Sequence, residues 1–233
     1  MYLGFPVSCV AMQPTLIIAI RAARAAGRIL MRYLDRVDQL HIQAKSQNDF
    51  VTEVDRAAED AIIHELRSKY PNHAILAEES GAHGKGDFQW VIDPLDGTTN
   101  YLHGFPQFSI SIALRHRGRL ECGIVYDPLR EEMFTAERGG GAQMNDRRIR
   151  VANRLGLEGA LIGTGFPFRD QRQLDTYLAM FRTMILNTAG LRRPGSAALD
   201  LAYVACGRTD GFWELGLAEW DMAAGALLIN EAG

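Results

Sequence analysis

The chain contains few cysteines, no excess of positive charge and no long apolar run. Three cysteines, Cys9, Cys122 and Cys206, are spread over 233 residues, too few and too scattered for a disulfide framework or a zinc site. A formal net charge of −3 argues against nucleic acid as the main ligand. Because few scattered cysteines are typical of reducing compartments, we expect a cytoplasmic protein.

No segment of the sequence has the pattern of a membrane anchor or a signal peptide. The apolar run from Leu16 to Ile20 is stopped by Arg21, whereas a spanning helix needs about 20 apolar residues. The first residues lack the basic region of a signal peptide, and Pro6 and Pro14 interrupt them. We therefore predict that residues 1–11 are a non-native or disordered extension, that Met12 is a candidate true start, and that the protein has no membrane partner.

What the chain does contain is an alternation of helical and strand patterns, typical of a layered α/β (α+β) protein. The helical patterns cover residues 15–34, 54–70, 174–186, 196–206 and 221–232, and the strand patterns cover residues 74–77, 90–92, 108–114, 120–126, 133–136, 160–164 and 211–215. The pattern restarts after Asn153, which predicts an N-terminal half over 12–155 and a C-terminal half over 156–233 within one functional unit. A patterned helix just before Gly233 suggests a C-terminal part that is incomplete.

The segment Asp93–Asn100, with the sequence DPLDGTTN, directly follows the apolar run Trp90–Ile92. Two carboxylates at the end of a buried strand repel each other unless a cation or a proton lies between them. Oxygen ligands are those preferred by a hard ion such as Mg²⁺. The Gly-Thr-Thr turn that follows offers N–H groups and hydroxyls to an anion. This segment therefore predicts metal-assisted phosphate chemistry.

Further acids stand at the ends of other predicted elements. Glu78 follows one strand, Asp221 opens a helix, and Asp55 lies near Thr52 at the start of the second helix. Each has a plain structural explanation, since acids are common in solvated loops and in the first turns of helices. If the strands before Glu78 and Asp93 are neighbours, these two acids meet where open α/β sheets place their sites.

Taken in order, these motifs resemble those of the inositol monophosphatase family, and most closely its bacterial SuhB-type inositol-1-monophosphatases. The resemblance rests on DPLDGTTN at Asp93–Asn100, WDMAAG at 220–225, AEES at 77–80 with Ala77 in place of the usual Gly, and the Lys45–Asp55 segment. It is supported by GTGFPF at 163–168 and RRPGSAALD at 192–200, and it covers residues 12–233. It implies the α-β-α-β-α sandwich of the Mg²⁺-dependent, lithium-sensitive sugar phosphatases.

The resemblance also implies a role for each matching residue. One Mg²⁺ is expected at Glu78, Asp93 and the Leu95 carbonyl and a second at Asp93, Asp96 and Asp221, with two or three ions in all. Glu78, Thr98 and Asp55 would orient and deprotonate the attacking water. The residues expected to contact the substrate are Glu78, Leu95, Asp96, Gly97, Thr98, Arg192, Gly195, Ser196, Ala197, Glu214 and Asp221.

The expected reaction is hydrolysis of myo-inositol monophosphate to inositol and phosphate, and a homodimer is typical of the family. Other small phosphates remain alternatives, among them fructose-1,6-bisphosphate, histidinol phosphate and a nucleotide 3′-phosphate. Because SuhB-type proteins are also associated with RNA polymerase and transcription antitermination, a binding role is a second class of alternative. For that role, the Arg192–Arg193 pair and the 174–186 helix are candidate surfaces.

Overall fold

The computed structural model describes residues 14–34, 36, 42–46, 49–167 and 171–233. The predicted extension at residues 1–11, the candidate start at Met12 and Phe168 of the GTGFPF motif lie outside these ranges. The division into halves at about residue 155 stays a prediction.

Six α-helices are present in the described ranges: α1 Pro14–Leu34, α2 Glu53–Lys69, α3 Thr98–Leu102, α4 Leu174–Asn187, α5 Ala197–Ala205 and α6 Glu219–Ala232. The strands found there are β1 Ile42–Ser46, β2 Asp49–Thr52, β3 Ala74–Ala77, β4 Gly81–His83, β5 Phe88–Asp96, β6 Ser109–His116, β7 Arg119–Asp127, β8 Glu132–Glu137, β9 Gly141–Met144, β10 Arg147–Arg148, β11 Leu161–Thr164, β12 Gly190–Arg192 and β13 Gly211–Trp213. No helix in these ranges has the length and apolar character needed to cross a membrane.

The elements stack in five layers. Helices α1 and α2 pack on each other and on one face of an eight-stranded sheet with the order β10-β9-β8-β7-β6-β5-β3-β4. Helices α5 and α6 cover the opposite face of that sheet. A three-stranded parallel sheet, β12-β11-β13, contacts α5 through β13 and α4 through β12. This is the predicted α-β-α-β-α sandwich, and the prediction is confirmed.

Two apolar cores hold the large sheet between its helix layers. The core toward α1 and α2 is built from residues such as Leu30, Ile62 and Trp90, which are fully buried. The core toward α5 and α6 includes Phe134 and Leu228, also fully buried. Strands β3 and β5 are covered on both faces, and they contain the continuous apolar runs Ala74–Ala77 and Trp90–Ile92. The polar groups of the candidate site lie at the ends of these strands.

Candidate active site

The ends of two neighbouring parallel strands bring the first acids together. Strand β3 pairs in parallel with β5, and Ala77 lies opposite Ile92 in that register. The next residues along the chain are Glu78 and Asp93, and the Glu78 N–H donates to the Ile92 carbonyl at 3.1 Å. The two carboxylates therefore leave the sheet side by side, as the sequence predicts for neighbouring strands.

A β-bulge brings Asp93 and Asp96 to the same cavity. Side chains along a strand alternate between faces, so residues three apart ordinarily point to opposite sides. Here Asp93 pairs with Ser111 and Asp96 with Ser109, so two residues of β5 lie opposite one residue of β6. This extra residue reverses the alternation. Pro94 is tolerated at the irregularity because proline has no N–H to give to the ladder.

Two helix starts fix the orientation of the remaining acids. Asp96 Oδ2 accepts a hydrogen bond from the Ser196 hydroxyl at 2.6 Å and another from the Ala198 N–H at 2.8 Å. Asp96 thereby caps α5 from a distant part of the chain. Asp221 lies in the first turn of α6 and accepts from the Ala218 N–H at 2.7 Å. Asp221 therefore both caps the first turn of α6 and lies at the site.

Thr98 is held from behind by the start of α2. Its hydroxyl lies 3.1 Å from Asp55 Oδ1 and 3.0 Å from the Leu95 carbonyl oxygen. The other oxygen of Asp55 accepts from the backbone N–H and the hydroxyl of Thr52, the N-cap of α2. Asp55 is therefore a buried orienting group rather than part of the cavity wall.

A cavity of about 560 Å³ lies over these strand and helix ends. It is lined by ten of the predicted site residues, namely Glu78, Asp93, Leu95, Asp96, Gly97, Thr98, Gly195, Ala197, Glu214 and Asp221. Ser196 lies behind the wall, where it holds Asp96. The structure places Arg193 on the wall, whereas Arg192 is exposed and its guanidinium donates to the Leu191 carbonyl.

Three further residues line the cavity, Asn100, Phe166 and Arg193, to which the sequence assigned no individual role in the site. Arg193 lies over the ring of Phe166 at 4.8 Å, a cation–π contact, and both line the cavity. Asn100 donates its amide to the carbonyl oxygens of Gln107 at 2.7 Å and Pro194 at 2.8 Å. This asparagine ends the DPLDGTTN segment, so its polar side chain after a turn was a signal for a contact of this kind.

Two acids of the cavity wall, Asp93 and Asp96, and one behind it, Asp200, are destabilised as anions. Burial raises the pKa of Asp93 well above 3.8, and repulsion from Glu78, Asp96 and Asp221 raises it further. Burial and the Asp221 charge raise the pKa of Asp96 to about 7, although the bonds from Ser196 and Ala198 oppose this. The pKa of Asp200, a buried acid behind the wall, is raised to about 8 by burial and by Asp96 and Glu214.

This donor set fits a hard divalent cation. Carboxylate oxygens predominate in it, and Asp93 and Asp96 each use one oxygen in an orienting hydrogen bond to the backbone. A cation among these acids would offset the repulsion that contributes to the raised pKa values of Asp93 and Asp96. In the described ranges, no group of three or more His, Cys, Asp or Glu side chains stands already gathered as a closed metal centre. The fit therefore rests on the chemistry and the mutual repulsion of the donors.

The family assignment follows from this fold and this site. The sequence model of the inositol monophosphatase family matches residues 11–233, and the chain belongs to that family. Membership supports a phosphatase, and the family is generally metal-dependent.

Named relatives show which branch the chain resembles. It is 59% identical over 228 residues to a protein named Nus factor SuhB from Pseudomonas aeruginosa, covering 95% of this chain and 84% of that protein. Among solved structures, extragenic suppressor protein SuhB from Bartonella henselae superposes with a TM-score of 0.92 at 47% identity, covering 95% of this chain and 86% of the other. An inositol monophosphatase from Anabaena (Nostoc) superposes with a TM-score of 0.84 at 43% identity, covering 94% and 81%. The predicted resemblance is thereby confirmed.

Proposed function

We propose that this protein is a Mg²⁺-dependent phosphomonoesterase that hydrolyses myo-inositol monophosphate to inositol and phosphate. The observation that carries the proposal is the meeting of Glu78, Asp93, Asp96 and Asp221 at one cavity beside the Gly97–Thr98 turn. A phosphate ester needs charge neutralisation on its oxygens and an oriented water, and this arrangement offers places for both.

The acids divide into two sets for the metal. Glu78, Asp93 and the Leu95 carbonyl would hold one Mg²⁺, and Asp93, Asp96 and Asp221 would hold a second, with two or three ions in all. When bound, such ions neutralise phosphate charge and lower the pKa of a bound water. Lithium sensitivity belongs to the same proposal.

We propose that Thr98 and Glu78 orient the attacking water, with Asp55 holding Thr98 by a hydrogen bond. The Thr98 hydroxyl lies between Asp55 and the Leu95 carbonyl, so its position over the cavity is set by two contacts. Thr98 and Glu78 would hold the attacking water in line with the phosphorus, and Glu78 would accept its proton. Asp55 acts by keeping Thr98 in place.

The phosphate and the alcohol would contact different residues of the cavity. The N–H groups of Gly97 and Thr98 would bind phosphate oxygens; Gly97 has φ +94°, a left-handed conformation that glycine adopts without strain. Glu214, Gly195 and Ala197 also line the cavity and would contact the polyol. Leu95 and Asp221, which also line the cavity, complete the proposed contacts. Arg192 and Ser196 stay in the proposed substrate set through the resemblance alone, since neither lines the cavity.

Replacing Asp93 tests the metal assignment directly. Asp93→Asn keeps the acceptor for the Leu95 N–H but removes the charge shared by both proposed ions, so kcat on inositol monophosphate should fall by at least about 10²–10³. Asp87→Asn is the matched control, because Asp87 is an exposed acid just before β5 whose partner is Arg117. Substantial Asp93→Asn activity at saturating Mg²⁺ would refute the two-metal site.

A panel of esters assayed by released phosphate tests the substrate. The highest kcat/KM is expected for inositol monophosphate over fructose-1,6-bisphosphate, histidinol phosphate and a nucleotide 3′-phosphate. A clear preference for one of the other three would leave the phosphatase proposal in place and change the proposed substrate.

We also propose that the protein forms a homodimer, as is typical of the family. Light scattering measures the molar mass in solution and tests this proposal.

A binding role in transcription antitermination is the second candidate, and the relatives named Nus factor favour it. Helix α4 exposes apolar side chains, among them Leu178 and Leu186 at 50% and 74% exposure. Capture of RNA polymerase by the wild type and by Asp93→Asn alike would show a binding role separable from catalysis. Capture by neither would leave the enzyme alone.

A further inference from the structure

Glu59 is a buried acid to which the proposed chemistry gives no part. It lies on α2 and is 2% exposed. Its two carboxylate oxygens accept hydrogen bonds from consecutive backbone N–H groups, Oε2 from Glu79 at 2.9 Å and Oε1 from Ser80 at 2.9 Å. A buried ionised carboxylate is costly unless its oxygens are paired, and bonds of this charge-assisted kind are among the stronger ones in proteins.

These bonds fix the turn that carries Glu78. On the strand side, the Glu78 N–H is bonded to the Ile92 carbonyl of β5. On the other side, the next two N–H groups are bonded to Glu59. The backbone around Glu78 is therefore held at three consecutive N–H groups, which fix the direction in which its Cα–Cβ bond leaves the chain.

The same face of α2 holds the other half of the water-orienting group. Asp55 and Glu59 are four residues apart, so they lie one turn apart on one face of the helix. Asp55 bonds to Thr98, and Glu59 bonds to the turn after Glu78. One helix therefore sets the positions of both Thr98 and Glu78.

We propose that Glu59 is a positioning residue, whose carboxylate clamps the Glu79 and Ser80 N–H groups and thereby aims Glu78 at the metal and the attacking water. The inference rests on the proposed function for the role of Glu78, but the clamp itself is a property of the fold. Partners that orient a metal ligand in this way typically contribute 10- to 100-fold to metal affinity or activity.

Glu59→Gln is the informative variant because it preserves size and removes half of the clamp. The amide oxygen can accept from one N–H, but the NH₂ group then faces the other N–H, donor against donor. We expect Mg²⁺ affinity, measured by calorimetry, and kcat each to fall by about 10- to 100-fold. KM for inositol monophosphate should change little, since Glu59 does not line the cavity. Added Mg²⁺ should restore part of the activity.

Glu65→Gln on the same helix is the matched control. Glu65 pairs with Arg21 at 3.3 Å, away from the cavity, so the control should bind Mg²⁺ and turn over as the wild type does. Amide hydrogen exchange at Glu79 and Ser80 gives a readout independent of substrate, and it should quicken by about tenfold or more in Glu59→Gln alone.

The outcomes separate the clamp from the proposed reaction. A wild type that binds Mg²⁺ but hydrolyses no ester would end the phosphatase proposal, and reduced Mg²⁺ affinity in Glu59→Gln would still support the clamp. If Glu59→Gln folds and its Mg²⁺ affinity and kcat equal those of the control Glu65→Gln, the proposed role of the clamp is overturned, even if amide exchange at Glu79 and Ser80 is faster. If Glu59→Gln does not fold, Glu59→Asp, which keeps the charge but is one methylene shorter, takes its place under the same criteria.

Discussion

The ionised form of Asp96 is destabilised in the folded protein, so removing its charge should stabilise the protein in the absence of metal. Its pKa is raised from 3.8 to about 7, first by burial and then by the Asp221 charge. In Asp96→Asn the amide oxygen can still accept from the Ser196 hydroxyl and the Ala198 N–H, so the cap on α5 is kept. The substitution therefore isolates the charge from the hydrogen bonds.

The size of the effect follows from the raised pKa. One pKa unit corresponds to about 1.4 kcal/mol, so the interval from 3.8 to about 7 corresponds to a ceiling of about 4 kcal/mol. The pKa of Asp96 in the folded state lies above its unfolded value, so the unfolded chain loses this proton at a lower pH than the folded protein. The free energy of unfolding of the wild type is therefore highest below about pH 4, and up to about 4 kcal/mol of it is lost as the pH rises through about 7. The variant should match the wild type near pH 4 and exceed it by up to about 4 kcal/mol near pH 8.

Urea unfolding in EDTA over this pH range measures the difference. With added Mg²⁺ near pH 8 the difference should shrink, because ligand binding stabilises the wild type and the variant lacks one ligand. Asp87→Asn, at an exposed acid, should show no such pH dependence. An Asp96→Asn protein that is less stable than the wild type near pH 8 in EDTA, or a difference independent of pH, would refute the reasoning.

Two further substitutions probe the remaining walls of the cavity. Gly97→Ala would place a Cβ 3.0 Å from the Gln107 carbonyl at φ +94°, so it should cost about 1–2 kcal/mol of stability and weaken competitive inhibition by inorganic phosphate; unchanged inhibition would argue against the phosphate turn. Gly165→Ala would put a methyl group where the Glu214 carboxylate now lies. Like Glu214→Ala, it should therefore raise KM for inositol monophosphate with Mg²⁺ affinity unchanged; a loss of kcat at constant KM would contradict the polyol role of Glu214.

The helices and most strands are predictable from the sequence because their apolar periodicity is strong. The patterns over 15–34 and 54–70 correspond to α1 and α2, Pro14–Leu34 and Glu53–Lys69. The pattern over 90–92, in contrast, underestimates β5, which continues to Asp96. Pro94 and the two acids have low strand propensity, and only pairing with β6 keeps them in the sheet.

Short elements escape sequence reasoning because tertiary contacts decide them. The glycine run over residues 139–141 predicts a turn, and a turn is present at residues 138–140, but Gly141 already begins β9, which pairs with β8. Strand β12 has three residues and is defined by its register with β11. No periodicity can be measured over so few positions.

The acids of the site are predictable as types but not as a geometry. That Asp93 and Asp96 face one cavity depends on the bulge, since a regular strand would separate them. Arg192 and Arg193 are indistinguishable in the sequence, and the loop before Gly195, whose φ is +92°, brings Arg193 to the wall.

Glu59 shows most clearly where a local pattern stops being informative. An acid in the middle of an amphipathic helix is expected on the solvated face, and nothing next to Glu59 in the sequence says otherwise. Its burial arises because the turn after β3 crosses α2 at that level and presents two N–H groups that no strand satisfies. The carboxylate is therefore explained by the needs of a backbone 20 residues away, and the same bonds couple the helix that orients Thr98 to the turn that carries Glu78.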